Sequence, residues 1–330
     1  MSTKRIVVLG GGTGSFTLLQ SLKTLSPKIT AIVNMCDDGG STGVLRDELG
    51  VLPPGDARQC LVALSESPEI RDLFDYRFGD GRLEGQSLGN IILSGLELQH
   101  GGFEKAVEVA SRILRIRGKV LPVVLGNHSL VMKDGAHEVV GQRAIELYPI
   151  TSANVRVRLE PVSTLNPKAD AAIRRADLVV IAPGSFYTSL LPIFSTNGIA
   201  EALAETKAQV VFVANLVNKL HHTPNWHAVD YVHAAEEYIG KDVIDIILYN
   251  NQPLSTKLLA MYAAEGEFPV AINRSRFTEV AAEAVGAPLV SSTITPQNPA
   301  DKAIQRTYIR HDPWKVKTEI EKVLGLGEAV

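Results

Sequence analysis

Three glycine-rich segments lie close together near the amino terminus of the chain, at residues 10–14, 37–43 and 53–56. The first two directly follow apolar runs typical of buried strands, and the first and third precede patterns typical of helices. Glycine-rich turns expose backbone N–H groups, and the start of a helix adds the positive end of a dipole. The sequence therefore predicts a site for a phosphorylated ligand, with a nucleotide as the first inference.

Apolar strands and amphipathic helices alternate along most of the chain. The patterns predict strands at 6–9, 29–35, 120–125, 155–159, 178–182, 210–214, 243–248 and 288–290. They predict helices at 15–25, 57–66, 87–99, 103–116, 169–175, 199–206, 225–239, 254–265 and 313–324. This alternation indicates an α/β fold, a Rossmann-like doubly wound and mostly parallel sheet with helices on both faces.

Two segments depart from the alternation. Residues 124–140 have the pattern of a polar hairpin with Asp134 and Gly135 as its turn, which predicts a small antiparallel insertion. Residues 292–301 are rich in Thr, Pro, Gln and Asn and are predicted to form a loop. No repeat or linker divides the sequence, so we predict one domain over 1–330, with a motif-bearing core at about 5–250 and a carboxy-terminal part at 251–330.

Charge and composition exclude several classes of protein. The net charge is −3 and no long basic run occurs, so the overall field does not favour nucleic acid. The two cysteines, Cys36 and Cys60, form no CxxC pair, and no apolar stretch approaches the ~18–20 residues of a membrane span. The amino terminus enters the first strand without a signal-peptide pattern. These features predict a cytoplasmic protein without a membrane span, and homo-oligomer formation stays open.

Each glycine-rich segment has a functional and a structural interpretation. Residues 10–14 lie where doubly wound folds bind phosphate, but a tight turn also needs glycine. Asp37 and Asp38 have the chemistry to ligate Mg²⁺, to bind or deprotonate a hydroxyl, or to cap a turn. Asp56 either faces the ligand or caps the helix that follows it.

Further candidates lie later in the chain. Asn90, at the start of a predicted helix, has an amide that suits a phosphate or a base. Gly184 and Ser185 follow a strand and form another candidate anion-binding turn. Asn215 ends the next strand and should reach the same edge of the sheet. The histidines at 221, 222 and 227 have no ligand cluster beside them, so they are interpreted as solvated loop residues.

Five motifs follow one another along the chain: GGGTG, DDGGSTG, PPGDARQCLVAL, SLGN and APGSFYTSLLP. In this order they resemble the family that unites 2-phospho-lactate transferases (CofD) with YvcK-type gluconeogenesis factors, over about residues 5–250, and the YvcK-type branch most closely. For that branch the resemblance implies a Rossmann-like fold that binds a nucleotide diphosphate sugar, notably UDP-N-acetylglucosamine. It implies a bacterial role that links carbon metabolism to cell-wall synthesis and cell shape, without an established reaction. For the transferase branch it implies transfer of a phospholactyl group from a guanosine-activated donor to a deazaflavin.

The chain departs from the family pattern in three places. Gln86 stands where a histidine is usual, Ile193 and its neighbours replace an Asn-Leu-Leu run, and residues 218–222 replace a different loop after Asn215. The last change should affect ligand choice most, because that loop is expected to face the site.

The leading hypothesis is a nucleotide-sugar-binding regulatory protein of the gluconeogenesis-factor type. Helix N-termini at Gly12 and Gly55 would take the diphosphate, and the base would lie nearer Asn215. Tyr262 and Arg310 would close over the ligand. No tightly bound cofactor is expected, with Mg²⁺ accompanying the nucleotide as one option. The predicted ligand-binding residues are Gly10, Gly11, Gly12, Thr13, Gly14, Asp37, Asp38, Gly39, Gly40, Ser41, Pro54, Gly55, Asp56, Asn90, Gly184, Ser185, Asn215, Tyr262 and Arg310.

Two enzymatic hypotheses compete with this one. In a transferase, Asp37 or Asp38 would act as the general base or as an Mg²⁺ ligand. The scarcity of aromatic residues beside the motifs, beyond Phe186 and Tyr187, argues against a deazaflavin acceptor. A nicotinamide dehydrogenase is disfavoured because the glycine spacing differs from the dinucleotide-binding pattern.

Overall fold

Seven strands form one parallel sheet in the computed structural model, which describes residues 3–152, 154–264, 266–292 and 309–326. The strands in this part of the chain are β1 (Ile6–Gly10), β2 (Ile29–Val33), β3 (Lys119–Pro122), β4 (Ser129–Asp134), β5 (His137–Val140), β6 (Val155–Glu160), β7 (Leu178–Ile181), β8 (Gln209–Val213), β9 (Val217–Lys219), β10 (Ile246–Asn250), β11 (Glu267–Pro269) and β12 (Glu283–Ala287). The large sheet has the order β12-β10-β8-β7-β1-β2-β3, and each neighbouring pair in it is parallel.

The inner strand β1 has five consecutive buried residues, as expected for a strand that is covered on both faces. Val8 pairs with Ala31 of β2 on one side and with Val180 of β7 on the other. The chain winds outward through β2 and β3 and then continues on the opposite side with β7, β8, β10 and β12. Because the winding direction reverses between β1 and β7, their carboxyl ends flank the crevice in which doubly wound folds bind ligands.

Helices cover both faces of this sheet, which confirms the predicted Rossmann-like, doubly wound α/β fold. They are α1 (Gly12–Leu22), α2 (Gly40–Leu49), α3 (Gly55–Leu64), α4 (Pro68–Asp75), α5 (Leu88–His100), α6 (Phe103–Ile113), α7 (Gln142–Leu147), α8 (Pro167–Arg174), α9 (Leu191–Phe194), α10 (Ile199–Glu205), α11 (Ala228–Ile239), α12 (Thr256–Ala264) and α13 (Pro313–Val323). A π-helical turn at Phe186–Leu190 leads directly into α9. One continuous hydrophobic core contains β1, its neighbouring strands and residues of α13.

A three-stranded antiparallel sheet with the order β5-β4-β6 lies beside the large sheet, which confirms the predicted antiparallel insertion. Asp134 pairs with His137, so Gly135 and Ala136 occupy the turn, one residue later than predicted. The Asp134 carboxylate accepts hydrogen bonds of 2.8 Å from both the backbone and the hydroxyl of Thr151, and these bonds lower its pKa. The insertion is therefore fastened to the segment that precedes β6.

The strand predicted at 155–159 belongs to this small sheet and not to the parallel one. In β6 buried and exposed residues alternate strictly, which is typical of a half-covered antiparallel strand. Its neighbour is β4, and the two strands run in opposite directions. The alternation was visible in the sequence as Val155-Arg-Val-Arg-Leu-Glu.

Other predicted segments also need comment. The segment 37–43 also leads into a helix, α2, whose buried face consists mainly of small residues, so that no apolar stripe announced it. The edge strand β12 ends at Ala287, and of the strand predicted at 288–290 only Val290 forms an isolated bridge, with His311. Of the loop predicted at 292–301, residues 293–301 lie outside the described residues.

Within the described ranges, no helix combines the length and the apolar character needed to cross a bilayer.

Candidate functional site

A cleft of about 280 Å³ opens at the carboxyl ends of β1 and β7, at the point where the winding of the sheet reverses. Its lining combines the start of α1, the turn after β7, helix α7 of the insertion and the segment that includes β9. The cleft therefore lies where the first glycine-rich segment was predicted to bind a ligand.

The start of α1 is brought against two neighbouring segments by glycine. Gly11 is the N-cap and has no side chain to bond the first N–H groups of the helix. A Cβ atom on Gly11 would overlap the Asp56 carboxylate, and one on Gly14 would lie 2.8 Å from the carbonyl carbon of Pro183 and closer still to its oxygen. Both glycines are thus required for close approach. Thr13 and Gly14, in the first turn of α1, line the cleft.

Asp37 and Asp56 form a pair of carboxylates on the floor of the cleft. Asp37 accepts a hydrogen bond of 3.0 Å from the N–H of Gly39, and Asp56 accepts one from the N–H of Gly12. Burial raises the pKa of both groups. The charge of Asp37 adds to the rise at Asp56, whose pKa reaches about 8, and the charges of Asp38 and Glu146 add to the rise at Asp37. The raised pKa values favour the protonated form of the pair towards neutral pH.

Asp38 points away from this pair. Its carboxylate accepts a hydrogen bond of 2.6 Å from the N–H of Arg143 in the first turn of α7, and it lies 3.9 Å from the guanidinium of Arg46. Asp38 is not part of the lining of the cleft. The two neighbouring aspartates thus do different things: Asp37 faces the cleft, and Asp38 holds α7 in place.

Ser41 and Asn90 serve a junction between two helices. The Ser41 hydroxyl donates to Gln86 at 2.8 Å and accepts from the N–H of Ser87 and the amide of Asn90 at 3.1 and 3.2 Å. These bonds fasten α2 to the start of α5. Asn90 was a candidate for a phosphate or base contact, but its amide nitrogen bonds Ser41 inside this junction, and Asn90 does not line the cleft.

Asn215 holds the turn that follows β7. Its side-chain oxygen accepts a hydrogen bond of 3.1 Å from the N–H of Gly184, and its amide donates one of 2.8 Å to the carbonyl of Gly184. Tyr262 is fully buried, and its hydroxyl accepts a hydrogen bond from the N–H of Ile309, a residue that lines the cleft. Asn215 and Tyr262 therefore hold in place the backbone of residues that line the cleft.

The predicted residues divide into two groups by position. Those that line the cleft are Gly11, Gly12, Thr13, Gly14, Asp37, Gly39, Asp56, Gly184, Ser185, Asn215 and Arg310. Those outside its lining are Gly10, Asp38, Gly40, Ser41, Pro54, Gly55, Asn90 and Tyr262.

The wall made by α7 and the segment after β9 was largely missed by sequence reasoning, which expected only that residues 218–222 face the site. Lys219 lines the cleft and forms an ion pair of 2.9 Å with Glu146 of α7. His222 also lines the cleft, and it is only 5% exposed. The interpretation of the histidines as solvated loop residues is therefore wrong for His222 and for His227, which is buried as the N-cap of α11. Only His221 of the three is exposed.

An aromatic cluster lies behind this wall. Phe186 contacts Trp226 at a ring distance of 5.2 Å and Tyr231 at 5.9 Å, and Trp226 contacts Tyr231 at 4.9 Å. Phe186 and Tyr231 also line the cleft. The sequence-based argument that aromatic residues are scarce beside the motifs is therefore incorrect, because residues 40 positions apart meet here.

No group of three or more His, Cys, Asp and Glu side chains suited to a metal ion occurs within the part of the chain that the structure describes. Cys36 and Cys60 are both buried and free.

The fold and the position of the cleft define a Rossmann-like α/β protein. The family described as 2-phospho-L-lactate transferase CofD matches residues 6–290, and the chain belongs to this family. Within it, the chain is similar to proteins named gluconeogenesis factor. It is 38% identical to one from Halalkalibacterium halodurans, over 97% of this chain and 96% of that protein. It is 36% identical to another from Bacillus subtilis, over 97% of this chain and 98% of that protein.

A solved structure has the same fold. The crystal structure of a protein from Bacillus halodurans superimposes with a TM-score of 0.88 at 37% identity, and the match covers 97% of this chain and 99% of that one. The predicted membership in the gluconeogenesis-factor branch of the CofD family is thereby confirmed.

Proposed function

We propose that the protein binds a nucleotide sugar of the UDP-N-acetylglucosamine type and acts as a cytoplasmic regulator that links carbon metabolism to cell-wall synthesis and cell shape. The observation that carries the binding proposal is the start of α1, whose N-cap residue Gly11 has no side chain, at the point where the sheet winding reverses. Helix N-termini at this point attract phosphate through free N–H groups and the helix dipole. The regulatory part of the proposal rests on the similarity to gluconeogenesis factors.

Basic side chains line the cleft beside its acidic ones. The cleft is lined by Arg143, Lys219 and Arg310 together with Asp37, Asp56, Glu146 and Glu267, so its charges are mixed. The three basic side chains are the groups that can pair with phosphate. We assign the diphosphate to the N–H groups of Thr13 and Gly14, in the same cleft as these side chains.

The carboxylates of Asp37 and Asp56 oppose an anion unless they are neutralised. Protonation does this, and so does a divalent cation, because Mg²⁺ in nucleotide sites is held by one or two carboxylates together with phosphate oxygens. The residues fit such an ion: two carboxylates with raised pKa values share the floor of the cleft. We propose that Asp37 and Asp56, and not Asp38, hold Mg²⁺ when it accompanies the nucleotide.

A second candidate function is transfer of a phospho-acyl group from a nucleotide-activated donor, as the description of the family suggests. The same carboxylate pair favours it, since a carboxylate with a raised pKa is suited to accept a proton near neutral pH. In this case Asp56 or Asp37 would take the proton of the attacking hydroxyl.

Calorimetric titration separates the two functions. The purified chain is titrated with UDP-N-acetylglucosamine, UDP, GDP, GTP and NAD, with and without Mg²⁺, and each mixture is analysed for breakdown of the ligand. Binding of UDP-N-acetylglucosamine without breakdown supports the regulator. Selective, Mg²⁺-dependent binding of a guanosine nucleotide supports the transferase, and absence of binding to every ligand contradicts both.

A further inference from the structure

Three elements of the cleft carry buried polar atoms that the protein itself does not satisfy. They are the side-chain oxygen of Gln142 in α7, the hydroxyl of Ser185 after β7, and Nδ1 of His222 after β9, and none of them has a hydrogen-bond partner among the described residues. All three residues line the same cleft. Leaving one such atom without a partner costs about 1–3 kcal/mol, so a group of three at one cleft indicates a ligand.

The hydrogen bonds of His222 determine whether its other ring nitrogen, Nδ1, is a donor or an acceptor. Nε2 lies 3.0 Å from the carbonyl oxygen of Ile145 and 3.2 Å from that of Tyr148, so Nε2 must carry the proton and donate. Burial lowers the pKa of His222 and keeps the ring neutral at pH 7. Nδ1 is then an acceptor, because a neutral imidazole carries one proton only.

The oxygen of Gln142 is also an acceptor, and the Ser185 hydroxyl either donates or accepts. Phosphate oxygens offer only acceptors, so they cannot satisfy Nδ1 of His222 or the oxygen of Gln142. Hydroxyl and N–H groups can. The part of the cleft that these atoms line therefore differs in chemistry from the N–H groups at the start of α1.

We propose that Gln142, Ser185 and His222 form a recognition subsite for uncharged hydrogen-bond donors of the ligand, separate from its phosphate site. The inference rests on the proposed nucleotide-sugar function and names the part of the ligand that decides selectivity. Such donors come from the hydroxyl and amide groups of a sugar or from an N–H of the base.

Substitution of His222 tests this subsite. In His222→Gln the amide nitrogen still reaches the two carbonyl oxygens, but no acceptor remains at the position of Nδ1. The probes are pyrophosphate, UDP and UDP-N-acetylglucosamine, each titrated by calorimetry. We expect pyrophosphate affinity to stay within twofold and affinity for UDP-N-acetylglucosamine to fall about five- to tenfold, as for one lost hydrogen bond. If UDP loses as much as the nucleotide sugar, the donor belongs to the uridine, as a base N–H or a ribose hydroxyl; if UDP is unaffected, the donor belongs to the N-acetylglucosamine.

Ser185→Ala supplies a second test that does not depend on the stability of the His222 variant. Its hydroxyl has no protein partner among the described residues, so its removal should leave the melting temperature of the ligand-free protein unchanged or higher. Affinity for UDP-N-acetylglucosamine should nevertheless fall. His221→Gln, next to His222 but exposed, is the matched control and should change neither quantity.

Two outcomes overturn the inference. One is an equal loss of pyrophosphate and nucleotide-sugar affinity, since the atoms would then serve the phosphates. The other is unchanged affinity for all three probes in folded variants. If the unaltered protein binds neither UDP nor UDP-N-acetylglucosamine, the result contradicts the proposed function itself, and with it the subsite for the donors of these ligands.

Discussion

Substitution of Gly14 by alanine is expected to damage both stability and ligand binding. The added Cβ would lie 2.8 Å from the carbonyl carbon of Pro183 and nearer to its oxygen, and neither atom belongs to a flexible side chain. Overpacking of this kind typically costs about 1–3 kcal/mol, and the rigid backbone on both sides favours the upper half of that range. With an unfolding entropy of ~2.1 cal/mol/K per residue, 2–3 kcal/mol lowers the melting temperature by about 3–4 °C.

Gly95 provides the matched control. It lies in α5, and a Cβ there would meet nothing within 4 Å. Alanine is better than glycine in a helix by about 0.8–1.0 kcal/mol, so Gly95→Ala should raise the melting temperature by about 1 °C. Differential scanning calorimetry of both variants, followed by titration with UDP-N-acetylglucosamine, measures the two effects. The reasoning is refuted if Gly14→Ala melts like Gly95→Ala and retains full affinity.

Three further substitutions test other parts of the site. Asp38→Ala removes the acceptor of the Arg143 N–H and should weaken nucleotide-sugar binding, because α7 is displaced. The control Asp47→Ala loses only an exposed ion pair and should keep full affinity. Equal affinities of the two variants would contradict the role of Asp38 in positioning α7. Because the folded-state pKa of Asp56 is raised to about 8, well above the ~3.9 of an unfolded aspartate, this group stabilises the fold at low pH and that stability is lost as the pH rises towards 8. The melting temperature of the unaltered protein should therefore fall relative to Asp56→Asn between pH 5 and 8, and parallel pH profiles would show the carboxyl to be unperturbed. Ser41→Ala leaves two donors without their acceptor and should destabilise the protein by about 1–3 kcal/mol with unchanged ligand affinity; a stable variant that binds poorly would place Ser41 in the binding site.

The parts of the fold that sequence reasoning predicted depend on local patterns. Apolar runs followed by glycine-containing turns located the buried strands β1 and β7, and helical spacing located α1 and α5. Helix α2 was missed because its contacts with the rest of the protein are made by small side chains such as Ser41 and Thr42, which contribute no apolar periodicity.

Sequence patterns predicted only those site residues that follow strands of the parallel sheet. Residues that end parallel strands meet at one edge, which is why Gly11, Asp37 and Asn215 all line the cleft. The partner of Asp37 was not predictable in this way: its neighbour in the sequence, Asp38, turns to α7, and Asp56 faces Asp37 instead. Which aspartate lies next to Asp37 depends on the conformation of the loop before α3.

The far wall of the cleft depends on contacts between distant segments. His222 is buried because its ring bonds two carbonyl groups of the insertion, 74 and 77 positions earlier in the chain. The aromatic cluster of Phe186, Trp226 and Tyr231 likewise forms only when the turn after β7 packs on α11. No local pattern carries this information, although the departure of residues 218–222 from the family pattern drew attention to the right segment.

A crystal structure of the protein grown with UDP-N-acetylglucosamine and Mg²⁺ would show where the diphosphate binds. We expect the diphosphate within hydrogen-bond distance of the N–H groups of Thr13 and Gly14, and the cation held by Asp37 and Asp56. A nucleotide sugar bound elsewhere on the protein, or bound in the cleft with its phosphates away from the start of α1, would contradict it.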